Sequence, residues 1–178
     1  MLVGFVFNWA SAFTEFYSRR FGERVGRRMT FITRNILGIP VWVFGLILAF
    51  RESAPPLFSP SLIINILGWM LVLAGPIPMI WALLFLRRRA YRPTMQDTLV
   101  SSGIFKYIRH PIYSGVLLEL IGGILLHPML PAIIACLLGC VYVYIQARLE
   151  EMDLTRRVSG YREYMKQVPR FFPRLRIR

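Results

Sequence analysis

The sequence predicts an all-α protein, a polytopic integral membrane bundle of four to five transmembrane helices with a helical hairpin towards its C-terminus. Two features of composition and one of arrangement predict it. Of 178 residues, 56% are hydrophobic and only 17% charged, against about 25% charged in a usual soluble domain. The mean hydropathy is +0.51. The 22 Lys+Arg and 9 Asp+Glu are gathered between long uncharged runs instead of being spread along the chain. The length sets one or at most two domains. So much apolar material excludes intrinsic disorder, and two cysteines exclude a disulfide scaffold. A net charge of +13 alone would suggest a polyanion partner. The absence of a recognition motif and the placing of the basic residues beside apolar runs argue against a nucleic-acid binder.

Residues 1–13 are apolar but short for a span. They lack the basic start and small-residue cleavage site of a secretory signal, so a short extra helix or interfacial segment is expected. Residues 36–50 carry no charge. The run extends back to Phe31 if Arg34 snorkels to the interface, giving about 30 Å at roughly 1.5 Å per residue. Residues 62–86 form a second uncharged run, in which Gly75, Pro76 and Pro78 predict a kink or short break. Residues 112–126 form a third, interrupted by Glu119, and residues 129–147 a fourth. The last two read as a hairpin turning at His127-Pro128. Cys136 and Cys140, four apart on one helix face, read as packing thiols, and no metal ligand set is apparent.

Four crossings place residues 14–35, 87–111 and 148–178 on one side. Those segments hold 21 of the 22 basic residues, all but Arg51. By the positive-inside rule that side is cytoplasmic.

Three polar stretches share it. Residues 99–115 contain Ser101-Ser102-Gly103, a turn, then Arg109 and His110 ahead of Pro111, which suits the first turn of a helix. The N-terminal end of that helix favours an anionic group, with Tyr113 following and Gly115 allowing close approach of another backbone or a ligand. Membrane-interface anchoring would use the same residue types. Glu119, deeper in the run, suits a cavity, a basic partner or a substrate. In residues 148–154, Arg148 and Glu151 are three apart on one helix face. Glu150 and Glu151 are rare carboxylates in a basic neighbourhood. Residues 161–173 are aromatic and basic, suited to stacking on a planar ring or lying on anionic lipid.

Together these stretches resemble the integral-membrane methyltransferases of the isoprenylcysteine carboxyl methyltransferase type. That family shows a G-x-(Y/F)-(K/R)-x-x-R-H-P-x-Y-x-G block before a helical hairpin. A Glu-Glu pair, Y-x-x-Y and V-P-R-(hydrophobic)-x-P follow. Here stand Gly103-Ile104-Phe105-Lys106-Tyr107-Ile108-Arg109-His110-Pro111-Ile112-Tyr113-Ser114-Gly115, Glu150-Glu151, Tyr161-Arg162-Glu163-Tyr164 and Val168-Pro169-Arg170-Phe171-Phe172-Pro173. The likeness covers residues 99–175, and the chain divides into N-terminal spans (1–98) and a methyltransferase-like core (99–178). One departure is Val158-Ser159-Gly160 before Tyr161, where the family usually carries Phe-Gly, two residues, then Tyr.

The resemblance implies a cytoplasm-facing site for S-adenosylmethionine and a lipophilic or lipidated acceptor arriving from the bilayer. The membrane would be the plasma membrane in a prokaryote or the endoplasmic reticulum in a eukaryote. It assigns Arg109 or His110 to the cofactor carboxylate and Glu150 or Glu151 to its ammonium or ribose. Tyr107, Tyr113, Tyr164 and the turn of Pro169, Arg170 and Phe171 would enclose the adenosine. Lys106, Pro111 and Gly115 belong to the same cofactor-binding blocks. Arg148 would orient a substrate carboxylate beside Glu151, and Glu119 would contact the substrate. The implied reaction is carboxyl methylation of an isoprenylcysteine-like acceptor. The alternatives are N-methylation of a phospholipid amine, or a non-catalytic membrane protein that keeps the fold.

Overall fold

The computed structural model describes residues 1–86 and 94–174. Arg87, Arg88, Arg89, Arg92, Arg176 and Arg178, counted above towards topology, lie outside the described residues. Helices α1 (Leu2–Ala10), α2 (Thr14–Phe21) and α3 (Glu23–Phe31) open the chain. A π-helical segment, Ile32–Gly38, joins α3 to α4 (Ile39–Arg51). Then come α5 (Leu62–Ala74), α6 (Pro76–Leu86), a 3₁₀ turn at Gly103–Lys106, α7 (Pro111–Leu126), α8 (Leu130–Arg157) and α9 (Tyr161–Gln167). The fold is the all-helical membrane bundle that the hydropathy predicts.

Three helices are long and apolar enough to cross a membrane: Glu23–Arg51, Leu62–Leu86 and Leu130–Arg157. The fourth apolar run, α7, has 16 residues, about 24 Å at 1.5 Å per residue, and is the shortest of the set. Outward faces are apolar: Leu62, Ile63, Leu73 and Leu84 are all about two-thirds exposed or more. That fits lipid, not water, as the surrounding medium. Helix α1 runs antiparallel to the first span, with Met1 level with Gly45 and Asn8 level with Gly38. At nine residues it reaches part of the way across, as a short extra helix.

The break expected at Gly75 is real: α5 ends at Ala74 and α6 begins at Pro76, where proline has no N–H to continue the ladder. Helix α7 packs on α5, α6 and α8, and small residues set its approach to α5. A Cβ on Gly122 would lie 2.7 Å from the Gly68 carbonyl oxygen. A Cβ on Gly115 would collide with the Gly75 carbonyl and Met79. Such small-residue contacts let helices associate in lipid, where no hydrophobic effect drives them together. Residues 127–129 turn the α7–α8 hairpin, as the sequence predicts.

After α8, Gly160 adopts φ +77°, a conformation costly for other residues, and starts α9. The displaced glycine of the sequence thus still makes the turn. The chain then runs back alongside the start of α7.

Candidate active site

Two short backbone segments lie side by side at the base of α7. The Arg109 N–H donates to the Pro169 carbonyl and the His110 N–H to the Arg170 carbonyl, each at 3.0 Å. The Ser114 hydroxyl contacts both the His110 carbonyl at 3.0 Å and the Phe171 carbonyl at 2.5 Å. The C-terminal tail is thereby latched onto the Arg-His-Pro block. Tyr164 on α9 donates to the Phe105 carbonyl at 2.6 Å. Burial pushes its phenol up to about 12, so at neutral pH it remains a donor.

Helix α8 presents its polar end to this junction. A helix turns about 100° per residue, so Glu150 and Glu151 point to different arginines, with His110 lying between them. Glu151 is 2% exposed and accepts two bonds from Arg170, Nε to Oε1 at 2.9 Å and Nη2 to Oε2 at 2.8 Å. That bond raises the Arg170 pKa. Arg109 Nη1 lies 3.3 Å from Glu151 Oε1 and His110 Nε2 3.2 Å from the same oxygen. A carboxylate only accepts, so His110 Nε2 carries the proton in this contact.

Glu150 faces a cavity of about 300 Å³. Its Oε1 accepts from Arg34 Nη2 at 2.7 Å, Tyr113 Oη at 2.7 Å and Gln146 Nε2 at 3.0 Å. Its Oε2 has the 4.0 Å approach of His110 Nδ1. Arg109 also lines the cavity. Its side chain is 8% exposed, yet neither Nε nor Nη1 has an acceptor in hydrogen-bonding geometry. Leu99, Phe105, Val158, Tyr161 and Tyr164 form one wall, and Ile39, Leu83 and Leu86 line it from two spans.

Of the residues singled out in the sequence, Arg109, His110, Pro111, Tyr113, Glu150 and Tyr164 share this cavity. Glu151, Pro169, Arg170 and Phe171 form the latch beside it, and Phe171 also packs near the His110 ring, 6.3 Å between centroids. Lys106 and Tyr107 are exposed at the end of the 3₁₀ turn. Gly115 faces the Gly75 backbone, and Gly75 in turn faces Glu119, so both lie at the helix break. Arg148 is exposed; the three-apart spacing with Glu151 makes no ion pair, because Arg109, His110 and Arg170 already surround that carboxylate.

Several site residues escaped the sequence reading. Arg34 does not snorkel; it turns inward to Glu150. Arg157 bridges Asp97 at 2.9 Å and Asp153 at 2.6 Å, and all three line the cavity. Asp153 also accepts from the Glu15 N–H at 2.8 Å, tying α2 to α8. For Arg34 a signal existed: a cation inside an apolar run commonly meets a carboxylate. Among the described residues, no group of His, Cys, Asp and Glu gathers as a metal site.

The cobalt-zinc-cadmium resistance protein CzcN of Cupriavidus metallidurans is 28% identical over 152 residues, covering 83% of this chain and 68% of that protein. No solved structure matches. The sequence model of phospholipid methyltransferases matches residues 63–162, a segment that contains the Arg-His-Pro block, the hairpin and the glutamate pair. With more than half its length so matched, the chain belongs to the phospholipid methyltransferase family, one of the isoprenylcysteine carboxyl methyltransferase-like membrane methyltransferases.

Proposed function

We propose that the protein transfers a methyl group from S-adenosylmethionine to a lipophilic acceptor that reaches the cavity from the bilayer. The observation that carries the reading is that Arg109 and Glu150, of opposite charge, line one cavity. One cavity is lined by a buried guanidinium whose Nε has no acceptor and whose Nη1 meets Glu151 at 3.3 Å outside hydrogen-bonding geometry, and by the Glu150 carboxylate, whose three donors all bond to Oε1. A buried donor without an acceptor is costly. A ligand with a carboxylate and an ammonium close together, as at an α-amino acid end, would satisfy both. The volume suits a molecule of that size.

When bound, S-adenosylmethionine supplies an electrophilic methyl on its sulfonium. The chain's own residues then bind, orient and exclude water. Arg109 holds the carboxylate and Glu150 the ammonium, while Phe105, Tyr161, Tyr164, Leu99 and Val158 provide an apolar wall for the adenosine. Methyl transfer needs alignment more than acid–base help. The Tyr164 hydroxyl, committed to the Phe105 carbonyl, is a wall group, not a base. The site faces the cytoplasm by the positive-inside rule.

For the acceptor, a phospholipid amine is favoured over an isoprenylcysteine-like carboxylate. The family's description names phospholipid, and Arg148, the expected carboxylate partner, is exposed and does not line the cavity. Ile39, Leu83 and Leu86 would meet the acyl chain. Calorimetric titration of the detergent-solubilised protein with S-adenosylmethionine tests the first part. Saturable binding is expected, and no binding sinks the reading. A labelled methyl donor offered with phosphatidylethanolamine or with a prenylcysteine analogue decides the acceptor, with label expected in the lipid.

A further inference from the structure

We infer that Arg34, outside the segment that matches the family, is the positioning residue that fixes Glu150 for its ligand, so that the site is incomplete without the first span. The inference rests on the proposed role of Glu150 in binding the cofactor ammonium.

A guanidinium within an apolar helix is expensive unless it faces the bundle interior and a partner. In a regular helix, Arg34 and Trp42, eight residues apart, would point about 80° apart at 3.6 residues per turn. The intervening π-helical segment Ile32–Gly38 bonds to the fifth residue instead of the fourth and so turns less per residue. That brings Arg34 round towards the face on which Trp42 packs against Tyr142, with ring centroids 5.5 Å apart. Both then address α8, at Tyr142 and Glu150.

Once inside, Arg34 is held at both ends of its fork. Nε donates to the Ser11 hydroxyl oxygen at 3.3 Å, and Ser11 is fully buried and donates in turn to the Asn8 carbonyl at 2.6 Å. Nη2 donates to Glu150 Oε1 at 2.7 Å. The ion pair is mostly buried, 16% and 17% exposed, so solvent screens it less than a surface pair. Together with Tyr113 and Gln146, Arg34 saturates Oε1 and fixes the carboxylate plane. The remaining oxygen, Oε2, is left for the ligand. A carboxylate held in one orientation binds a cation without the entropy cost of ordering it first.

A double-mutant cycle on the full chain in detergent tests this, with S-adenosylmethionine as titrant and the melting temperature as a folding control. Arg34→Gln is expected to raise the Kd about tenfold, the weight of one charge-assisted hydrogen bond. Turnover at saturating cofactor should fall less than the Kd rises, and Arg34→Lys should restore most of the affinity. In a Glu150→Gln background, Arg34→Gln should change the Kd less than about twofold, because its route to the ligand is gone. An Arg34→Gln effect that persists undiminished there overturns the inference and leaves the reading of Glu150 intact. Wild-type affinity in Arg34→Gln also overturns it. If Glu150→Gln itself binds like wild type, the reading of Glu150 fails, and this inference with it. Should Arg34→Gln not fold, with Glu150 buried and short of its cation, the cycle runs on Arg34→Lys. A residual loss of affinity in Arg34→Lys must then vanish in the Glu150→Gln background, and its persistence overturns the inference.

Discussion

Glu150 and Glu151 are chemically identical neighbours on one helix, and the molecule uses them in opposite ways. Glu151 is enclosed by Arg170, Arg109 and His110 and ties the C-terminal tail to the start of α7. Glu150 lines a cavity, and its three hydrogen-bond donors, Arg34, Tyr113 and Gln146, all bond to Oε1. Adjacency on an α-helix enforces this division, since about 100° of rotation separates consecutive side chains. On the proposed function, this doubled acidic motif divides into one anchor, Glu151, and one ligand group, Glu150.

Removing the anchor should have the largest effect. Glu151→Gln leaves the Arg170 and Arg109 guanidiniums without their carboxylate in a buried setting. Breaking such a pair from one side costs about 3–5 kcal/mol. A clear fall in melting temperature is expected, together with faster proteolysis within residues 168–174. An unchanged melt would mean that the backbone bonds alone hold the tail.

Glu150→Gln should reverse the balance. Losing one charge-assisted hydrogen bond to the ligand, about 1.5–3 kcal/mol, weakens S-adenosylmethionine binding about 10- to 100-fold. Its melting temperature should fall less than that of Glu151→Gln, because one guanidinium instead of two loses its carboxylate. If both variants lose affinity and stability in equal proportion, the division of roles is wrong.

How much of this was legible in the sequence depends on the range of the interaction. The spans were, because lipid imposes length and excludes charge over contiguous residues. The break at Gly75-Pro76 and the hairpin at His127-Pro128 follow from single residues with special backbones. The grouping of Arg109, His110, Tyr113 and Glu150 followed from recognisable blocks. Arg34 was misplaced because its partner lies 116 residues away, and nothing in Ile32–Gly38 announces a π-helical turn. Arg148 is exposed on α8. Its spacing from Glu151 is right for a helical pair, but a tail residue 19 positions downstream of that glutamate holds it instead.

Tyr164 sharpens the contrast from the cavity wall. Its ring faces the cavity while its hydroxyl serves the fold through Phe105. Tyr164→Phe keeps the ring and leaves that carbonyl without its donor, at about 1 kcal/mol. A small drop in melting temperature with S-adenosylmethionine affinity within about twofold is expected. A large loss of turnover would instead give the hydroxyl a part in the chemistry.

Arg148 should show the smallest effect, and it decides between acceptors. It lies two residues before Glu150 but on the exposed side of α8, and its charge meets neither the cavity nor the latch. Surface substitutions away from such features stay within about 0.5 kcal/mol, so Arg148→Gln should melt and bind S-adenosylmethionine as the wild type does. With a phospholipid amine as acceptor, its methylation rate should also hold. A selective rise in KM for a prenylcysteine analogue would show that Arg148 reaches a substrate carboxylate. The polar end of α8 would then have three working faces: one for the tail, one for the cofactor and one for the acceptor.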